Sequence, residues 1–532
     1  MRARRPWRGY GSLVFTGVEE DPETLETLTK LGFPSAREIS ARIRGWHHGR
    51  IRGTRSARAR ERLTRLVPAL LSTLARTEDP DAAFSAFARF VEALPTGVQI
   101  FALLNANPWL LELLAELSSL APRLARVLSE RPAILDSLIN AEFLAPPKSE
   151  PDYTAELAAA LGQARELEDV LDATRIFARE QQFKIAVRVL KGGLDPEAAG
   201  RAFTAVAESV IGALAFVAEA ETARRHGTVP GATWAILGMG KLGGREMTAS
   251  SDLDLVFVYD FDAARDTSKG AQPLHATQYF ARLMQRLISL LTVPTAEGRL
   301  YDVDMRLRPS GRAGPVAVTL ERLKTYHEGQ AWTYEHMALT RARVIAGAPP
   351  LRVRVEETIH ALLTAPRNHS VLSADALDMR TRTEAARGAD GIWSLKLVRG
   401  GLLDLEYIAQ CLSLALARGR PAILSPSTAD VFDHIAAAEA ISLRDAIDLA
   451  AATRLIHGLS QVLRIAYDRE TSPVHAHHAL KARLAEIAGV PDFAALEAKL
   501  AATQARVFEL FEVYVANLPR RLADRAAGEP GA

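Results

Sequence analysis

Apolar residues recur at three- and four-residue steps through most of this chain, and at two-residue steps only near its middle. From Ser56 to Ala75 the recurrences include Leu63, Leu66, Leu70 and Leu74, which predicts an amphipathic helix. Between Phe101 and Ile139 the same period is cut by Pro108, Pro122 and Pro132. Proline disfavours helical backbone at the residue before it, so this spacing predicts short packed helices. The proline-rich run Ala145–Pro151 predicts a linker, and the helical period resumes from Tyr153 to about Arg225.

The period then changes. Thr233–Leu237 is a short apolar run that enters Gly238 and Gly240, and Asp252–Tyr259 predicts a strand with a buried end. His275–Leu291 returns to a helical period. Leu300–Leu307 alternates, with Tyr301, Val303, Met305 and Leu307 on one face and Asp302, Asp304 and Arg306 on the other. After about Ala348 the chain reads as helical again, up to a loose tail at Gly528–Ala532. The predicted fold class is mainly α with one α/β unit between helical regions, and that unit occurs once.

Composition narrows the function classes. The 532 residues are 48% hydrophobic and 24% charged, and 65 basic against 63 acidic side chains give a net charge of +2. Such balance argues against a general nucleic-acid coat or a polybasic membrane protein. One cysteine, Cys411, excludes a disulfide framework, a cysteine-ligated zinc site and an iron–sulfur cluster, and fits a reducing cytoplasm. The basic start Met1–Trp7 has no apolar stretch of signal-peptide length behind it, and no run reaches about 18 apolar residues, so a soluble cytoplasmic protein is expected.

The chemistry concentrates in Gly238-Met239-Gly240-Lys241-Leu242-Gly243-Gly244 and Ser250-Ser251-Asp252-Leu253-Asp254-Leu255. Glycines let backbone approach phosphates closely, and Lys241 adds a cation suited to a triphosphate. On a strand, Asp252 and Asp254 project from one face, a pairing that suits Mg²⁺. Asp304 is the natural third carboxylate, on a polar face shared with Arg306 and Arg308. Three clustered acids repel unless cations neutralise them, and three can hold two metal ions about 3.5–4 Å apart for in-line phosphoryl displacement. A lone Asp-x-Asp or glycine loop is a weak signal; the ordered set of strand, glycines, paired acids, helix and third acid is a strong one.

This set resembles the DNA polymerase β-like nucleotidyltransferase superfamily. Gly-Met-Gly-Lys-Leu-Gly-Gly-Arg-Glu-Met at 238–247, Ser-Ser-Asp-Leu-Asp-Leu-Val-Phe at 250–257 and Tyr-Asp-Val-Asp-Met-Arg-Leu-Arg-Pro-Ser-Gly at 301–311 narrow the resemblance to glutamine synthetase adenylyltransferases. Ala331–His336, Ala338–Arg343 and Lys396–Tyr407 are similar to the same family, and residues 31–60 resemble its central region.

The resemblance implies a polymerase β-like nucleotidyltransferase domain between helical domains. Residues 1–150 would be a helical regulatory or linker region and 151–350 the nucleotidyltransferase domain, with its mixed sheet from about 232. Residues 351–532 would form a carboxy-terminal helical bundle. It further implies transfer of AMP from ATP to a tyrosine of glutamine synthetase, with two Mg²⁺ ions held by Asp252, Asp254 and Asp304. Asp304 would also help deprotonate the tyrosine. Gly238, Gly240, Lys241, Ser251, Arg306 and Arg308 would bind the nucleotide. Glutamine and a PII-type signal protein would regulate; no nucleic acid or membrane partner is expected. Family members carry a second, deadenylylating half. Only one acidic set is seen here, and Ala331–Arg343 resembles the adenylylating half, so removal of AMP is not expected. The competing readings are a uridylyltransferase-like enzyme with another protein acceptor and a non-catalytic helical scaffold.

Outside this set, residues 42–65 carry nine arginines against one acid, Glu61, which suits either a solvated helix face or a docking surface for an acidic protein. Lys396 and Arg399 precede Gly400-Gly401, with Asp404 and Glu406 behind; they read as ordinary ion pairs at a helix start or as a basic element reaching nucleotide phosphates. His475, His477 and His478 lack a matching ligand set in sequence, and Cys411 sits in an apolar helical run as a core residue. Tyr334-Glu335-His336 lacks the second histidine of a zincin helix.

Overall fold

The computed structural model describes residues 13–17, 19–138, 148–468 and 471–526. The basic start, the first part of the proline-rich run and the carboxy-terminal tail lie outside the described residues. The chain divides into two compact units, Met1–Ala145 with Leu463–Arg483, and Pro146–Val462 with Leu484–Ala532.

The first unit is helical: α1 (Pro22–Lys30), α2 (Ala36–His47), α3 (Ala57–Leu74), α4 (Pro80–Ala93), α5 (Val98–Ala106), α6 (Pro108–Leu120), α7 (Pro122–Glu130) and the short α8 (Ile134–Ser137). Pro108 and Pro122, which read as interruptions, are the first helical residues of α6 and α7. There a missing N–H leaves no bond unmade and the fixed φ suits the helix. Asp21 and Asp79 cap α1 and α4, accepting from Thr24 N and Ala82 N at 2.9 Å each. The α3 stripe of Leu63, Leu66, Leu70 and Leu74 is buried as predicted, in a core with Trp46 stacked on Phe84. Truncating one of those leucines to alanine costs about 2–5 kcal/mol.

The second unit opens with α9 (Glu150–Leu161), α10 (Leu167–Leu190) and α11 (Pro196–His226). Glu150 and Pro151, read as linker, are helical, because Asp152 accepts from the N–H and hydroxyl of Ser149 and fixes the helix start. By length and composition α11 is apolar enough to cross a membrane, but most of its apolar stretch is buried inside the protein, against α9 and α10.

The α/β part follows: β1 (Thr233–Gly238), the one-turn α12 (Gly240–Gly243), β2 (Leu253–Asp260), α13 (Ala276–Thr292), β3 (Val303–Asp304), β4 (Ala317–Thr319), α14 (Leu320–Gly329), α15 (Thr333–Leu339) and β5 (Arg343–Gly347). The strands lie in the order β3-β2-β1-β5, with β4 pairing the later part of β2. β1 is antiparallel to β2 and β5, while β3 and β4 run parallel to β2. The apolar face of α13 covers the sheet, and Phe280 lies 4.5 Å from Tyr259, ring to ring.

One expectation fails in extent. The alternation over 300–307 yields only a two-residue strand. Beyond it the chain turns: Arg308 donates from Nη1 to Met305 O (2.6 Å) and from Nη2 to Gly314 O (3.2 Å), and Ser310 takes a left-handed φ of 63°. Arg306 N donates to Asp304 Oδ1 (2.8 Å) and Arg308 N to Met305 O (3.3 Å), so these N–H groups bond within the turn and not to a neighbouring strand. The remaining helices are α16 (Pro349–Leu363), α17 (His369–Arg387), α18 (Leu402–Leu416), α19 (Thr428–Ala437), α20 (Leu443–Ala466), α21 (His478–Ile487), α22 (Phe493–Phe511) and α23 (Leu518–Ala526). The chain is thus mainly α with a small mixed sheet.

Candidate functional site

The site forms where β1 ends and β2 begins. Met239 N donates to Asp254 O (2.9 Å), which ties the glycine turn to the neighbouring strand. Gly240 has a φ of +53°, and a Cβ there would stand 2.5 Å from Asp254 Oδ2. Only glycine fits, on backbone and on space. On the other edge, Leu253 pairs with Val303 and Asp254 with Asp304, and Leu253 N donates to Asp302 O (2.9 Å). This register brings carboxylate oxygens of Asp252, Asp254 and Asp304 within 4.8 Å of one another.

The three acids are not alike. Burial pushes Asp254 up to about 7, helped by the negative charges of Asp252 and Asp304 and opposed by Arg341 and Lys396. Burial also pushes Asp304 up, but Arg306 more than reverses it. Arg306 donates to Asp304 from its backbone N–H (2.8 Å) and from Nε (2.7 Å), and holds that carboxyl below its ordinary value. Asp252 is exposed at the mouth.

The other sequence-predicted site residues fall around this cluster. Gly238 ends β1, and Lys241 lies in α12, where its charge acts on Glu406 and His457. Ser251 Oγ accepts from Thr248 N (2.9 Å), shaping the turn before Asp252. Arg306 sits on Asp304 with an exposed guanidinium, whereas Arg308 is engaged by the carbonyls of its own loop.

A second set of charges, which the sequence reading missed, fixes the glycine turn from behind. Arg341 is buried and bridges Glu246 and Glu406, the latter at 2.7 Å. Glu246 also accepts from Thr428 N at the start of α19 (2.7 Å). Arg343 pairs with Glu208 of α11 and donates from Nε to Gly243 O (3.0 Å) and from Nη2 to Leu242 O (3.1 Å), satisfying the last carbonyls of α12. Gly243 is required here, since a Cβ would collide with Arg341 O at 1.8 Å. Residues 341–343 stood within a recognised motif, but no periodicity pairs positions 95 or 135 apart in sequence.

The segment before α18 is equally fixed. Arg380 and Asp404 form a fully buried ion pair, Arg380 Nη2 donates to Leu397 O (2.9 Å), and Gly400 N donates to Asp404 Oδ2 (2.6 Å). Arg399 pairs with Glu384 (2.6 Å) and lies over Phe508, so it is structural. Lys396, from the same segment, puts positive charge on both Asp254 and Glu406. Cys411 is fully buried, which pushes its thiol up to about 12, as suits a core residue.

In the first unit, Glu78 supplies the acid that the histidine cluster lacked in sequence. His477 and His478 stand 3.0 and 2.8 Å from Glu78 Oε2. Ala479 N donates to His477 Nδ1 (3.2 Å), which puts a ring proton on Nε2, the nitrogen facing Glu78.

Comparison with known proteins follows the same ground. Residues 111–358, which contain the whole carboxylate cluster, match the family model for glutamate-ammonia ligase adenylyltransferase. Residues 377–515 match the model for GlnD PII-uridylyltransferase. Among curated proteins, the bifunctional glutamine synthetase adenylyltransferase/adenylyl-removing enzyme of Mesorhizobium japonicum is 43% identical over 95% of this chain and 51% of the relative. That of Xanthobacter autotrophicus is 45% identical over 94% and 51%, and that of Agrobacterium fabrum 42% over 95% and 51%. The chain spans about half the length of the curated relatives it matches. These matches run through the glycine turn and all three acids, and over residues 111–358 the chain is similar to the glutamate-ammonia ligase adenylyltransferase family.

Proposed function

We propose that this chain transfers AMP from ATP to a tyrosine hydroxyl of glutamine synthetase, releasing pyrophosphate, on a polymerase β-like nucleotidyltransferase domain. One observation carries the reading: Asp252, Asp254 and Asp304 converge within 4.8 Å beside a turn that only glycine can form. The relatives' names supply the acceptor.

The donor set fits Mg²⁺. It offers only oxygen atoms, and it leaves Asp254 with too little positive charge around it to ionise normally at neutral pH. Asp252, Asp254 and Asp304 would hold two such ions, which supply charge neutralisation for the polyphosphate. The chain's own groups do the rest. The glycine turn admits the triphosphate beside Lys241, and Ser251 shapes the approach to Asp252. Arg306, whose guanidinium is exposed, offsets charge on the phosphates, as does Arg308. Asp304 would help deprotonate the tyrosine, whose unperturbed pKa is about 10, although Arg306 makes it a weak base on its own. Positioning these groups on paired strands supplies much of the rate.

In this reading residues 1–150 are regulatory, 151–350 catalytic and 351–532 a helical bundle. Glutamine and a PII-type signal protein act through the helical parts, in the cytoplasm. Incubation with purified glutamine synthetase and Mg²⁺·ATP, read by intact mass, tests the reading. A mass increase of one adenylyl group is expected, with UTP inactive. Modification by UTP in preference to ATP, or no modification at all, would overturn it. Release of AMP from modified synthetase with phosphate supplied is not expected, since Ala331–Arg343 resembles the adenylylating half.

A further inference from the structure

The nine arginines of residues 42–65 separate into two groups. Arg42 pairs with Glu92 (2.8 Å), Arg44 with Glu20 (3.6 Å) and Arg65 with Glu61 (2.6 Å). Arg62 donates to Val98 O (2.8 Å), and Arg60 donates to Thr54 O (3.2 Å) and Arg55 O (2.6 Å). Arg50, Arg52, Arg55 and Arg58 differ. All four are exposed, and their side chains make no ion pair or hydrogen bond among the described residues. They fall on the connection between α2 and α3 and on the first turn of α3.

This connection is firmly built. Thr54 is fully buried, with its hydroxyl on Ile51 O (3.3 Å). Gly53 O lies so close to Gly97 that a Cβ on Gly97 would stand 2.3 Å from it. Arg60 clamps two carbonyls of the loop, and Gly49 starts it at a φ of +74°. Four guanidinium groups therefore project from an ordered frame. The ion-paired arginines around them, Arg42, Arg44 and Arg65, are each within reach of a carboxylate; these four are not, among the described residues. An ordered frame lowers the entropic cost of binding, and a guanidinium fork matches a carboxylate with two parallel hydrogen bonds.

We propose that residues 50–58 are a docking point for an acidic surface of a protein partner. The inference is independent of the activity proposed above. A protein fits better than a nucleic acid, because the net charge of the whole chain is only +2. Residues 50–58 contain no aromatic side chain on which a base could stack.

The test uses the full chain and a fluorescently labelled peptide of clustered aspartates and glutamates, with a DNA duplex of similar charge as comparator. The wild type should bind the peptide, and more weakly as salt rises. Replacing Arg50, Arg52, Arg55 and Arg58 together with Gln should weaken binding about tenfold or more, with the unfolding midpoint unchanged. Replacing the same four with Lys should recover only part of the loss, because an ammonium lacks the fork. Equal binding by the Gln variant would overturn the proposal, as would tighter binding of the duplex than of the peptide through these arginines. A lowered midpoint in the Gln variant would also overturn it, by showing that the arginines serve the fold.

Discussion

Two sets of acidic side chains meet the same glycine turn and are treated in opposite ways. Behind the turn, Glu246 and Glu406 share the buried Arg341, and Glu208 has Arg343. Burial pushes Glu406 up, yet the cations around it, led by Arg341, hold it below its ordinary value. In front of the turn, three carboxylates have one directly paired arginine, Arg306, which is 63% exposed at its side chain and engages Asp304 alone. There burial wins, and Asp254 rises to about 7. Where the chain supplies its own counter-charge, the acids are architecture. Where it leaves the charge open, the acids form the cluster that the proposed function assigns to a cation and a phosphate.

The sharpest way to break this contrast is to neutralise each set in turn. Replacing Asp252 and Asp254 with Asn should lower AMP transfer by about a thousandfold or more, since metal and phosphate positioning carries most of the rate. The same change should leave the unfolding midpoint unchanged or raised, because it relieves repulsion. Transfer within a few fold of wild type, measured by intact mass of the acceptor, would end the site assignment. Arg341→Met should do the reverse to the fold. It strands the mostly buried Glu246 and Glu406 without their shared arginine and costs about 3–5 kcal/mol, a drop of several degrees in thermal midpoint. Removing all three charges at once, as E246Q/R341M/E406Q, should recover most of that loss. A midpoint for Arg341→Met equal to wild type would show that the clamp is not structural.

How much of this was legible in the sequence depends on range. The strand–glycine–acid–acid order and the third acid after one helix are local patterns, and the register of β2 against β3 brings those residues together. The helix from Ser56 was legible because its leucines repeat on one face. The run over 300–307 misled because alternation describes side-chain polarity, while the local bonding of Arg306 N and Arg308 N decides where the strand stops. β4 and β5 are too short to show a period. The clamp around Arg341 was illegible for another reason: its partners come from α18 and the segment after α12, and no spacing rule links them. The four unpartnered arginines of the 50–58 loop were visible only as composition, since pairing is a property of the folded unit.

A smaller effect probes the wall between the two sets. Gly240→Ala places a methyl group 2.5 Å from Asp254 Oδ2 and forces a side-chain-bearing residue to a φ of +53°. Left-handed backbone costs an ordinary residue about 1–2 kcal/mol, and displacement of the carboxylate adds to the loss of rate. Transfer should fall about 10- to 100-fold, with a midpoint change of only a few degrees. Gly238, at the end of β1, serves as the control: full activity in Gly240→Ala together with a loss in Gly238→Ala would move the critical contact off Asp254.

The last prediction is the smallest and concerns pH in the metal-free protein. The folded chain raises Asp254 from an ordinary value near 3.8 to about 7, with burial first among the causes and Asp252 and Asp304 adding to it. Between those values the folded state keeps a proton that the unfolded chain has released. Stability therefore falls as pH rises through that window, and the penalty is complete above it. Water at the exposed mouth screens much of this penalty, so about 1 kcal/mol is expected. Asp254→Asn carries no such proton. Its midpoint should match wild type near pH 4 and exceed it by a degree or two near pH 8, and Mg²⁺ should raise the wild-type midpoint more at pH 8 than at pH 5. Parallel pH profiles for the two proteins would show that Asp254 ionises normally, and that the front of the glycine turn is as well compensated as the back.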